Sequence, residues 1–160
     1  MGKIVLPNKV SIIYRKSLGS LTSLAIGFEA GANQEKNFPL GTAHALEHMV
    51  YTGTKNLSEE GVNALSDDIF ALTNAMTNYS YCIYYGTVRK VDLEKALELF
   101  SEILLRPLLL EEAWEKERKV ILQELSEWSE DMDQHCEDMA LKNSFSGRRL
   151  GELIIGTEES

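Results

Sequence analysis

The 160-residue chain carries 25 Asp and Glu against 16 Lys and Arg, a formal net charge of -9, with 44% hydrophobic and 26% charged residues. That length suits one domain able to bury roughly 70% of its unfolded surface, and the acidic balance argues against nucleic acid as a partner, since phosphate contacts need a basic surface. Residues 103–110, the longest apolar run, are interrupted by Arg106 and Pro107 and fall far short of the roughly 20 residues a bilayer span needs, and residues 1–10 have no apolar core of signal-peptide length; no membrane segment and a cytoplasmic location are therefore expected.

In chain order, residues 10–14 (VSIIY) and 23–31 (SLAIGFEAG) alternate, placing Val10, Ile12 and Tyr14, then Leu24, Ile26, Phe28 and Ala30, on one face of two strands. A polar stretch follows, and Thr42 is expected to cap the next helix. That helix contains residues 41–53, GTAHALEHMVYTG, which read H-x-x-E-H. At spacings of three and four residues, His44, Glu47 and His48 share an arc of about 100° on a helix. Two neutral imidazoles one turn apart suit a borderline metal such as zinc, and a nearby carboxylate that does not ligate can serve as a base. The bland reading of the same residues is a solvated surface pair with a local charge partner.

Ser58, followed by Glu59 and Glu60, predicts a second helix to about Asp67. Residues 69–88 predict two strands with a turn near Asn78, with Tyr79, Tyr81, Ile83 and Tyr85 sharing a face. Asp92 is expected to cap a helix whose Leu93, Ala96, Leu97, Phe100, Ile103 and Leu104 form a core-facing stripe. Pro107 breaks the chain, and one long helix is predicted from about residue 111 to 143. Cys82 and Cys136 form neither a disulfide framework nor a C-x-x-C spacing. The fold class is thus α+β, an antiparallel or mixed sheet packed against helices.

On the long helix Trp114, Ile121 and Trp128 recur every seven residues, with Leu125 and Met132 on a neighbouring row, and Glu117 and Glu124 fall on the same stripe. An unpaired buried carboxylate costs several kcal/mol. Either both glutamates sit at a wet rim, or they meet a cation; a helix carrying two histidines and still lacking a third ligand favours the second reading.

The H-x-x-E-H spacing is the inverted zinc motif of the inverzincins, and GTAHALEHMVYTGT resembles the active-site helix of the pitrilysin, insulin-degrading enzyme and mitochondrial processing peptidase family. LPN at 6–8, TNAMT at 73–77, ERKVILQE at 117–124 and IIGTEE at 154–159 recur in that family's order, so the resemblance covers nearly the whole chain. It implies a zinc metalloendopeptidase domain in which His44, His48 and Glu124 hold Zn2+, Glu47 is the general base and Glu117 supports the site. By the same resemblance a peptide substrate adds as a strand along Asn74, Ala75, Met76 and Thr77. His135 has no counterpart in the pattern and is expected to be an exposed helical residue.

The family pattern normally continues with a further helix and strand, so a natural miniature, a shortened fragment and one half of a split enzyme are all compatible with these residues. The expected partner is a related domain, either a second copy or a separate chain. Retention of His44, Glu47, His48 and Glu124 favours an enzyme over a non-catalytic peptide-binding subunit.

Overall fold

A computed structural model describes residues 1–160, the side chain of Ser129 excepted. Its centre is a three-stranded antiparallel sheet in the order β3 (Leu21–Phe28), β5 (Cys82–Arg89), β4 (Phe70–Thr77). Helices α1 (Thr42–Met49), α2 (Glu59–Ile69) and α3 (Leu93–Leu105) cover one face, giving the α+β class expected. The longer α4 (Glu111–Glu130) packs on α1, and α5 (Met132–Ser144) packs on α4 and on the short turn Arg149–Gly151.

The central strand β5 buries Cys82, Tyr84 and Val88, which is the opposite face from the Tyr79, Tyr81, Ile83, Tyr85 set singled out by aromatic alternation. Tyr79 and Tyr81 belong to the turn, closed by Asn78 N–H donating to Tyr81 O at 2.8 Å, and Ile83 and Tyr85 are only half-buried. A period of two fixes the alternation but leaves open which face the helices cover. The register settles it: Leu24 lies beside Gly86 and Ile26 beside Tyr84, so the half-buried apolar row of β3 continues the Cys82 to Val88 row. Gly86 lets Phe70 lie flat on the strand; a Cβ there would be 2.5 Å from Phe70 Cδ1. Val62, Val88, Phe100 and Ile103, each at most 1% exposed, are the largest fully buried side chains of the core, and burying each is worth roughly 1.5–3 kcal/mol.

Residues 2–5 form a strand, β1 (Gly2–Val5), in addition to those expected; it pairs antiparallel with β2 (Ser11–Tyr14), and Lys9, at φ 70, closes the turn. This hairpin is a separate sheet with both faces exposed. Ser58 caps α2 as expected, accepting from Gly61 N at 3.2 Å, and α2 continues two residues beyond Asp67 straight into β4. Thr42 is not a cap: its hydroxyl donates to Pro39 O at 2.7 Å, and Gly41, at φ 86, takes the N-cap position. Asp92 precedes α3 without capping it, because its carboxylate accepts from Arg89 Nε at 2.6 Å.

The single helix expected over 111–143 is two helices. Asp131 adopts an extended backbone (ψ 110), and its carboxylate accepts from Asp133 N and Gln134 N, both at 3.0 Å, so it ends α4 and caps α5. The change of direction takes Met132 off the inward stripe and leaves it 74% exposed. Trp114, Ile121 and Trp128 remain half-buried.

Candidate active site

Helix α1 is only eight residues long, too short to persist without tertiary support. Its C-terminal end is anchored by Met49 and Val50, 6% and 4% exposed, while α4 lies against it carrying the two glutamates. His44 and His48, one turn apart, stack edge to face with ring centroids 4.8 Å apart. Glu124 Oε2 is 3.8 Å from His44 Nε2 and 3.4 Å from His48 Nε2. Ligand atoms of His44, His48 and Glu124 all lie within 4.8 Å of one another.

Glu117 comes to the other side of the same imidazole, with Oε2 at 3.3 Å from His48 Nδ1. A carboxylate only accepts there, so Nδ1 is the donor to Glu117, and Nε2 is the ring nitrogen that faces His44 and Glu124. This carboxylate–imidazole arrangement is the usual support of a metal-ligating histidine. His44 fits as well: burial, with the neighbouring His48 charge second, lowers its pKa to about 4 and so keeps the imidazole neutral. Its Nδ1 is buried without a hydrogen-bond partner among the described residues. Two imidazoles and a carboxylate on two packed helices are a donor set suited to zinc, which would leave a fourth position for water or substrate.

Glu47 projects beside this cluster towards β4. Its Oε2 accepts a short hydrogen bond from Thr77 Oγ1, and since that hydroxyl has one proton, the Cys82 thiol, 3.4 Å away, is a donor to Thr77. Burial raises the Glu47 pKa, the Thr77 hydrogen bond and His48 oppose it, and Glu124 adds to it. Thr77 thus serves the carboxylate through its side chain, a role the sequence reading did not give it. Tyr51, also unforeseen, lines the same cleft as Glu47 and buries its hydroxyl with no partner among the described residues, and burial above all pushes its pKa up.

The predicted peptide strand runs alongside. β4 pairs with β5 only, so among the described residues its other edge is free. Ala75 and Thr77, half-buried, share the face of β4 that meets α1, while Asn74 and Met76 alternate away. Asn74 Oδ1 takes the Ala75 amide at 2.9 Å. Two clefts flank the segment: one of about 250 Å³ beside Glu47, His48, Tyr51 and Asn74, and one of about 540 Å³ between His44, Glu47, Met76 and Trp128. An apolar cavity of about 380 Å³ on the other side of α1, lined by Leu46, Met49, Trp114 and Ile121, holds none of the predicted site residues. His135 is exposed and stands apart from the cluster.

Residues 12–158 match the model of the insulinase family, peptidase family M16. The chain belongs to that family. The beta subunit of the mitochondrial-processing peptidase of Saccharomyces cerevisiae is 33% identical over 153 residues, covering 94% of this chain and 33% of that protein. This M16 chain therefore spans about a third of the length of the curated relatives it matches. Among solved structures, a protease from Helicobacter pylori aligns with a TM-score of 0.86 at 21% identity, over 99% of this chain and 39% of that one. A peptidase M16 inactive domain from Pseudomonas fluorescens aligns with 0.82 at 16% identity, over the same shares. These two likenesses show the fold alone, which serves an inactive domain as readily as a protease, so the M16 side chains decide the chemistry.

Proposed function

We propose that the chain is a zinc endopeptidase domain that hydrolyses peptides held along the free edge of β4. The observation that carries the reading is the setting of His48: Glu117 on Nδ1 leaves Nε2 facing His44 Nε2 and Glu124 Oε2 across less than 5 Å. His44, His48 and Glu124 would hold the zinc, which when bound supplies a Lewis acid to polarise the scissile carbonyl. Glu47 is the general base. Thr77 fixes one carboxylate oxygen, Oε2, and Oε1 is left to take a proton from the attacking water as the C–O bond forms and to return it to the departing amine as the C–N bond breaks. The raised pKa brings Glu47 nearer the range in which a carboxylate can both accept and return that proton. An extended peptide pairing with β4 gains main-chain hydrogen bonds independent of its side chains, which favours substrates of varied sequence.

The Glu124 side chain is 42% exposed, so the cluster is open to solvent on the α4 side. This supports the further reading that the domain acts with a second, related domain, from another copy or a separate chain, that closes over the peptide and positions it. The yeast relative, named a beta subunit, is consistent with such an arrangement. The experiment is zinc analysis and peptide cleavage on wild type and His48→Ala, across protein concentration and with candidate companion chains. Equal zinc content in the two proteins would sink the site assignment; specific activity independent of concentration in a strict monomer would sink the need for a partner.

A further inference from the structure

We propose that Glu35 and Arg149 form a latch that positions the first turn of α1 and thereby sets the zinc affinity of the site, an inference that rests on the metal reading above. Glu35 lies in the polar stretch before α1 yet is only 8% exposed. Its Oε1 accepts from Ala43 N at 2.7 Å, and its Oε2 accepts from Arg149 Nε at 3.0 Å and Nη2 at 2.8 Å. Arg149 is itself held: Nη1 donates to Glu152 O at 2.9 Å, the same carbonyl accepts from Tyr79 Oη at 3.1 Å, and the guanidinium lies 5.8 Å from the Tyr79 ring centre. The segment after Arg149 is folded tightly on the start of the helix. A Cβ on Gly41 would meet Ile155 O at 2.4 Å, and one on Gly156 would meet Leu40 O at 2.6 Å.

The consequence is geometric. An N-terminal amide of a short helix with no serine, threonine or asparagine cap needs an acceptor, and here a buried carboxylate from outside the helix provides it, with its negative charge at the positive end of the dipole. Ala43 directly precedes His44. Glu124 sits on a different helix, so any drift of the first turn of α1 changes the distance from His44 Nε2 to Glu124 rather than carrying both along. Metal-binding constellations tolerate only about 0.5 Å of such drift. Arg149, 114 residues from Glu35 in sequence, is a positioning residue: it touches no predicted ligand and acts through Glu35 and the Ala43 amide.

The test is zinc affinity by chelator competition together with hydrogen exchange of the Ala43 amide, on the whole chain and on Arg149→Met, Arg149→Lys and the core variant Ile103→Val. Arg149→Met should weaken zinc about tenfold or more and speed Ala43 exchange, with Arg149→Lys recovering part of both. Ile103→Val trims the core while leaving Glu35, Arg149 and the Ala43 amide as they are, and should leave the zinc affinity of the folded protein unchanged. Should Arg149→Met not fold, Glu35→Gln replaces it; the amide oxygen can still accept from Ala43 while the carboxylate that pairs with Arg149 is lost, so a smaller weakening is expected. Wild-type zinc affinity with wild-type Ala43 exchange in Arg149→Met, or in Glu35→Gln where that replaces it, would overturn the latch. A wild type that binds no zinc would overturn the metal reading and the claim on affinity with it, and is told apart because Ala43 exchange is measured without metal.

Discussion

Helix α1 and the β1–β2 hairpin are both short, both rich in residues that favour their own conformation, and they differ in nearly everything around them. α1 touches α4, β4 and the turn at Ala32–Gln34, its first turn is held by a buried ion pair, and its last residues enter the core. The hairpin pairs only with itself: Ile4, Val5, Ile12, Ile13 and Tyr14 are 42–62% exposed, and the first 28 residues contain Lys3, Lys9, Arg15 and Lys16 without a single Asp or Glu, in a chain of net charge -9. Eight helical residues would not stay folded in isolation, and neither would a lone two-stranded hairpin be more than marginal. What separates them is tertiary support, and the candidate site lies where the support is dense. Sites need side chains held by neighbours whose own positions are fixed.

The sharpest way to break the comparison is to remove chemistry from α1 without removing its support. Glu47→Gln keeps the shape and the acceptor for Thr77 while deleting the base, so peptide cleavage should fall by about 10²–10⁴-fold with zinc content and melting temperature near wild type. Glu124→Gln should instead lose metal. Opposite metal results for the two variants would exchange the roles given to these glutamates. Next in size is the support itself: Phe100, 1% exposed and 5.0 Å from Phe70 between ring centres, should cost about 3–5 kcal/mol when cut to alanine, read from urea midpoints at constant slope.

A third effect belongs to the site's own burial. His44 has a folded pKa of about 4 against an ordinary 6.5, chiefly from burial. The folded state therefore binds a proton less readily than the unfolded state, so the metal-free protein should be fully stable above about pH 6.5 and lose stability as pH falls from 6.5 towards 4. A displacement of that size corresponds to roughly 3 kcal/mol at most. Urea midpoints of metal-free wild type and His44→Gln at pH 7.5 and 4.5 check it. The wild type should lose more between the two pH values, and parallel losses would show that His44 is not the group responsible.

The sequence was most legible where the signal was local. The H-x-x-E-H spacing needs only a helix to become a face, and Ser58 needed only its own next three residues to become a cap. Glu117 and Glu124 were visible as carboxylates on an apolar stripe, but which side of His48 each would occupy depended on how α4 crosses α1. The break at Asp131 and the first hairpin do carry local signals. Asp131 with Gln134 three residues on follows the pattern of a capped helix start, and Pro7-Asn8 between two β-branched runs is a hairpin turn. Glu35 and Arg149 had none, because a pair 114 residues apart in a polar loop and a terminal turn looks like surface charge until the chain is folded. Thr77 was read by its backbone as part of a strand, whereas its side chain holds Glu47; strand alternation alone does not reveal which helix will meet that face.

The smallest effect expected lies in the hairpin, and its smallness is informative. Ile13 is 62% exposed and paired across the hairpin with Lys3, so replacing it with threonine keeps a β-branched side chain and every backbone hydrogen bond while removing little buried area. The cost should be within about 0.5 kcal/mol, a shift of about 1–2 °C in melting temperature, whereas Phe100→Ala should lower it by at least about 6 °C. The comparison becomes sharper when repeated across protein concentration. If the proposed partner domain covers this basic, apolar strand pair, burial of Ile13 in the assembly would raise the cost of the substitution well above that range as concentration increases, or when a companion chain is added. A cost that stays small at every concentration and with every companion would leave the hairpin outside the assembly, and the partner would then have to approach from the α4 side, where Glu124 is open to solvent.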